Sequence, residues 1–165
     1  MSVSSTSLLL SAVLAAAAAS GAQFADQDEH NTTIADCVAV PEGAFANGQL
    51  TLAPGDIFCL SITVRADEVI VAPVTKPASK KDVLLIKFAR EAGTQNHNLF
   101  VTNGSEYIIK YHADFRAGHS ADWESTSICP VMAGISGIEM WSDPIRQLRL
   151  SAFRILPESG DMTCN

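Results

Sequence analysis

No charged side chain occurs between Met1 and Ala22. That absence excludes an ordinary solvated surface segment. In its place stands an apolar block, Leu8-Leu9-Leu10-Ser11-Ala12-Val13-Leu14, followed by an alanine run and Ser20-Gly21-Ala22. An apolar core with small residues at the −3 and −1 positions is the substrate of signal peptidase, so residues 1–22 read as a cleaved export signal. A retained N-terminal anchor is the competing reading. Long apolar runs are otherwise lacking: the block falls short of the roughly 20 apolar residues that span a bilayer, and no later run is longer. Stable membrane insertion is therefore not expected, and the chain reads as periplasmic or extracellular.

Cysteine is scarce too, with four residues and no CxxC spacing, which argues against a zinc site built on close thiolate pairs. In an exported chain Cys37, Cys59, Cys129 and Cys164 are expected as two disulfides. Three connectivities exist. Sequential pairing, Cys37 with Cys59 and Cys129 with Cys164, pins each chain end to a nearby core strand and is preferred to a clamp of Cys37 on Cys164. Basic residues are also few, 11 Lys and Arg against 18 Asp and Glu, for a net charge of −7. Such a surface repels phosphate backbones and argues against nucleic acid as a partner.

Helical periodicity is missing throughout the mature chain; a single turn starting at Asp143-Pro144-Ile145 is the most that is expected. After a polar, acidic lead-in over 23–33, short apolar runs alternate with turn residues from residue 34 to 165. Pro54-Gly55 marks a turn between Gln49–Leu52 and Ile57–Val64, and Phe58, Leu60 and Ile62 alternate with Cys59, Ser61 and Thr63. Val69–Val74 contains Pro73 and reads as an edge. Val83–Phe88 is apolar enough for a central strand. Leu99–Val101 leads to Asn103-Gly104, a hairpin-turn signal that is also part of an Asn-Gly-Ser glycosylation triplet, as Asn31-Thr32-Thr33 is of another. Glu106–Phe115 places Tyr107, Ile109, Tyr111 and Ala113 on one face and Lys110, His112 and Asp114 on the other. Trp123–Ile128 and Gln147–Leu156 complete the set, with an irregular stretch around Gly134 and Gly137. Seven or eight strands at this spacing predict one antiparallel, disulfide-stabilised β-sandwich.

Ser127-Ile128-Cys129-Pro130-Val131, Gly134, Ser136-Gly137, Glu139, Trp141, Pro144-Ile145 and Leu148-x-Leu150-x-x-Phe153 together resemble a recurring pattern in small exported proteobacterial proteins. That family is uncharacterised and β-rich. The resemblance covers the C-terminal third and, more loosely, the Pro54-Gly55 to Cys59 region. It implies export and a sandwich-like fold and carries no reaction, cofactor or catalytic residue.

Candidate chemistry is sparse. Gly134-Ile135-Ser136-Gly137-Ile138 lacks the last glycine of a nucleophile elbow, which excludes a serine hydrolase of that type. His112 and Asp114 share a strand face and His119 follows in a turn, a set that suits zinc or copper if the three meet; a solvated polar face is the plainer alternative. Trp123, Trp141, Tyr107 and Tyr111 form a possible platform for a sugar ring, against the plainer reading of aromatic packing. Asp122, Glu124 and Glu139 read as solvated carboxylates rather than a glycosidase pair. The chain is thus expected to be an exported structural or binding module without identifiable catalysis or cofactor, its partner a protein or envelope component. A carbohydrate-binding module and a metal-binding domain are the alternatives. A protein-binding module requires an exposed apolar patch or an open sheet edge.

Overall fold

The computed structural model describes residues 32–66, 68–157 and 159–164. The expected export signal, most of the lead-in and Asn31 lie outside them. The first described element is a 3₁₀ turn, Ile34–Asp36, capped by Thr33, whose hydroxyl accepts from the Ala35 N–H while Asp36 accepts from the Thr33 N–H. Ten strands follow: β1 Phe45–Ala46, β2 Gln49–Leu52, β3 Ile57–Arg65, β4 Glu68–Pro73, β5 Val83–Arg90, β6 His97–Asn103, β7 Ile108–Ala117, β8 Glu124–Thr126, β9 Ser136–Trp141 and β10 Ile145–Leu156.

They form two five-stranded antiparallel sheets, β1-β2-β10-β7-β8 and β4-β3-β5-β6-β9. The sandwich expected from the sequence is present, with ten strands rather than seven or eight. The two extra strands are β1, too short to show a period, and β9, which lies in the stretch read as irregular. No helical turn starts at Asp143-Pro144-Ile145; Ile145 instead opens β10. Among the described residues, no helix is long and apolar enough to cross a membrane.

Period-2 burial builds the core. Phe58, Leu60 and Ile62 of β3, Leu84, Ile86 and Phe88 of β5, and Ile109, Tyr111 and Ala113 of β7 meet Leu148 and Leu150 of β10 between the sheets. The alternate residues of β3 and β5 are not all solvated. Cys59, Val83 and Leu85 form a second apolar cluster with Cys37 on the outer face of their sheet. There the Cys37–Cys59 disulfide is buried. The other bridge joins Cys129 to Cys164, so the pairing is the sequential one. Such bonds persist outside the reducing cytosol.

Pro54-Gly55 turns the chain from one sheet to the other, Gly55 taking φ +104°. The Asn103-Gly104 hairpin does not form. β6 and β7 lie in opposite sheets, and Gly104 is not among the residues with positive φ. A glycine is needed there for a different reason: a Cβ at Gly104 would sit 1.8 Å from the Lys80 carbonyl oxygen. Asn103 itself is 0% exposed, so in the folded domain its side chain is closed to a glycan.

Candidate functional site

Three regions hold the residues that bear on function: the outer face of the β10-β7-β8 half-sheet, an apolar groove at one end of the sandwich, and the β9 edge. On the first, the register sets Arg149 opposite Asp114 and Asp114 opposite Ser125. Arg149 donates twice to Asp114 Oδ2, from Nε at 3.1 Å and Nη2 at 2.7 Å. His112 Nε2 lies 2.9 Å from Asp114 Oδ1. Burial pushes the Asp114 carboxyl up, but the hydrogen bonds from Arg149 and then His112 outweigh it and hold the group below the usual carboxylate range.

The set of Ser125, His112 and Asp114 does not make a nucleophile relay. A relay places the carboxylate on one imidazole nitrogen and the hydroxyl on the other. Here Ser125 Oγ at 3.5 Å and Asp114 Oδ1 both meet Nε2. The alternative of a metal site at His112, Asp114 and His119 finds no assembled ligand set. Among the described residues no three His, Cys, Asp or Glu side chains come together. Both oxygens of Asp114 are committed to cationic or hydrogen-bonding side chains, and the Arg149 charge repels a second cation.

A pH dependence follows from this pair. The Asp114 carboxyl titrates near 3.9 when unfolded and lower when folded, so its contribution is complete above about pH 4 and is lost as pH falls through the folded value. Asp114→Asn is expected to cost about 2 kcal/mol at pH 7 and to flatten the loss of stability below about pH 4. Urea unfolding across that range checks it; parallel curves for the two proteins would count against the assignment.

The four aromatics of the candidate platform follow the plainer reading and pack within the domain. Tyr111 is buried in the core against Phe153, with ring centroids 5.6 Å apart; burial pushes its phenol far above the ordinary range. Trp141 packs on the core, and its indole N–H donates to Thr126 Oγ1 at 2.9 Å. Tyr107 also packs against the core. Trp123 is half-buried, and its ring is engaged by this chain's own cations: the guanidiniums of Arg116 and Arg149 lie 4.3 and 4.4 Å from its centroid. At such spacing the π surface stabilises these cations instead of a sugar ring. Glu139, read as solvated, accepts from the Cys129 N–H at 2.7 Å.

The groove has a volume of about 610 Å³ and is lined mainly by Met132, Ile135, Ile155, Leu156 and Met162, with Tyr107 and Glu106 at its polar side. The Glu106 carboxylate raises the Tyr107 phenol above its ordinary value.

The β9 edge was not legible in the sequence. Among the described residues β9 pairs with β6 alone, and its other side is the end of the sheet. The Asn103 N–H donates to the Ile135 carbonyl at 3.0 Å, which sets the phase of the ladder. Gly137, Glu139 and Trp141 then exchange bonds with β6, and the backbone N–H and C=O groups of Ser136, Ile138 and Met140 point away from it. The same residues present their side chains to solvent, Ile138 at 48% and Met140 at 73% exposure. Ile138 continues a row across the outer face, through Phe100 to Lys87, whose ammonium lies 5.6 Å from the Phe100 ring centroid. The other three edges are blunted. β1 and β8 have two and three residues, and β4 begins at Glu68 and ends at Pro73.

No family model, curated protein or solved structure matches this chain.

Proposed function

We propose that this protein is an exported binding module that captures an extended stretch of another polypeptide along β9. The observation that supports it is the open edge at Ser136, Ile138 and Met140, uncharged and free of proline, in a sandwich whose other described edges are two or three residues long or, at β4, carry Glu68 and Pro73 at their ends. An added strand gains main-chain hydrogen bonds from these groups, and its side chains settle beside Ile138 and Met140. The partner chemistry is an extended segment with apolar residues at alternate positions. Export is supported by the apolar segment over 1–22 and by the two disulfides. The carbohydrate reading loses support because Trp123 is already stacked by Arg116 and Arg149.

The variant that tests this is Ile138→Pro. The Ile138 N–H points outward, so proline removes a docking donor without breaking a bond to β6. Against the immobilised protein, a displayed library of random peptides is expected to yield sequences with alternating apolar residues. Their affinity is expected to fall by about tenfold or more on Ile138→Pro, while thermal unfolding stays cooperative. Peptides that bind the variant equally well, or no enrichment at all, would sink the reading.

A further inference from the structure

We infer that the Cys129–Cys164 disulfide is a redox-released clasp: a dithiol reductant opens it before Cys37–Cys59, freeing the C-terminal strap that covers Lys110 and walls one side of the apolar groove. The two bridges sit in opposite surroundings. Cys37 and Cys59 are 2% and 0% exposed, enclosed by Val83 and Leu85. Cys164 is exposed and Cys129 half-buried. Thiol–disulfide exchange needs an incoming thiolate to reach a sulfur, and only the second bridge offers one.

The strap is the chain after β10. Its ladder contact ends at Leu156 opposite Ile108. Beyond it, Gly160 bonds to Pro157 and Thr163 to Asp161, both within the strap. Among the described residues, one hydrogen bond ties residues 159–164 to the rest of the domain: Lys110 Nζ donates to the Thr163 carbonyl at 3.1 Å. The same ammonium donates to the Ile128 carbonyl. Lys110 lies on the outward face of β7, where a lysine is normally solvated, yet is 2% exposed. Burial and then the nearby Arg154 charge pull its amine below the usual lysine range, partly offset by Glu139 and Asp161. The strap also contributes Met162 and Pro157 to the groove. One covalent bond therefore keeps a buried cation covered.

The exchange balances. A thiolate of the reductant attacks Cys164 Sγ, and Cys129 leaves as a thiolate and takes a proton. The second reductant thiol then displaces Cys164, so the reductant is oxidised to its disulfide and Cys129 and Cys164 become two thiols. No such step is open to the buried pair until the domain unfolds.

Oxidised full-length protein titrated with dithiothreitol, quenched with N-ethylmaleimide and peptide-mapped, tests this together with amine acylation by acetic anhydride. A two-thiol species labelled at Cys129 and Cys164 is expected to accumulate first, and acylation of Lys110 to rise by about tenfold or more in that species. The Cys129→Ser, Cys164→Ser double variant is expected to show the same Lys110 reactivity without reductant. Labelling of Cys37 and Cys59 first, or of all four cysteines in one step, overturns the inference. So does Lys110 protected equally in the two-thiol species.

Discussion

Asn103→Ala is expected to cost about 4 kcal/mol of unfolding free energy, a fall of roughly 15 °C in Tm for a domain of this size. The side chain is a buried hub where β6 leaves its sheet. Its Nδ2 donates to the carbonyls of Tyr107, Val131 and Met132 at 2.7, 3.1 and 3.2 Å. Its Oδ1 accepts from the Ser105 N–H at 3.0 Å and the Ser105 hydroxyl at 2.7 Å. Alanine leaves these groups facing a void, and a buried polar group without a partner costs about 1 to 3 kcal/mol. These contacts do not add in full, because the two Nδ2 hydrogens are shared among three carbonyls and the Val131 carbonyl also accepts from the Ile109 N–H. Asn103→Asp is the sharper variant: it keeps the acceptor for Ser105 but turns a negative oxygen toward three carbonyls, and is expected to be at least as damaging. Chemical unfolding of both variants checks this. A loss under about 1 kcal/mol for alanine would mean that the crossover is held elsewhere.

Gly104→Ala is expected to cost about 3 kcal/mol through a different cause, overpacking against backbone. The added Cβ would lie 1.8 Å from the Lys80 carbonyl oxygen and 2.8 Å from its carbon. Lys80 has no freedom to retreat alone. Gly104 N–H donates to the Val83 carbonyl at 2.8 Å, and Asp82 N–H donates to the Gly104 carbonyl at 3.3 Å. Relief requires the Lys80–Val83 turn to move away from Gly104, which breaks those bonds at the entrance to β5. Hydrogen exchange at the Asp82 and Gly104 amides, read beside the unfolding curve, separates this from a general loosening: these two amides are expected to lose protection most. Unchanged protection with unchanged stability would count against overpacking at this turn.

Both positions mark the limit of what the sequence showed. Asn103-Gly104 carries a strong hairpin signal, but the two residues serve a crossover between sheets, and their partners lie in other segments of the chain. The inward faces of β3, β5, β7 and β10 were legible because one buried face forces apolar residues to every second position. β9 was not, because Gly134 and Gly137 read as breakers and its pattern is inverted: Ile138 and Met140 face water while Glu139 and Trp141 turn inward. The same holds at the outer face of the other sheet. Tyr111 and Lys110 lie on opposite faces of β7, yet both are buried, the lysine because a strap from the far end of the chain lies over it. Asp114 and Arg149 are 35 residues apart, and no local spacing rule joins them.

The consecutive order of the disulfides bears on how the chain matures. Each bridge closes a short loop, with separations of 22 and 35 residues, and neither loop encloses the other. A chain emerging from its N-terminus can oxidise Cys37 with Cys59 before the later cysteines arrive, so simple oxidation in order of appearance yields the native pairs. Where oxidation follows that order, no wrong pair has to be rearranged.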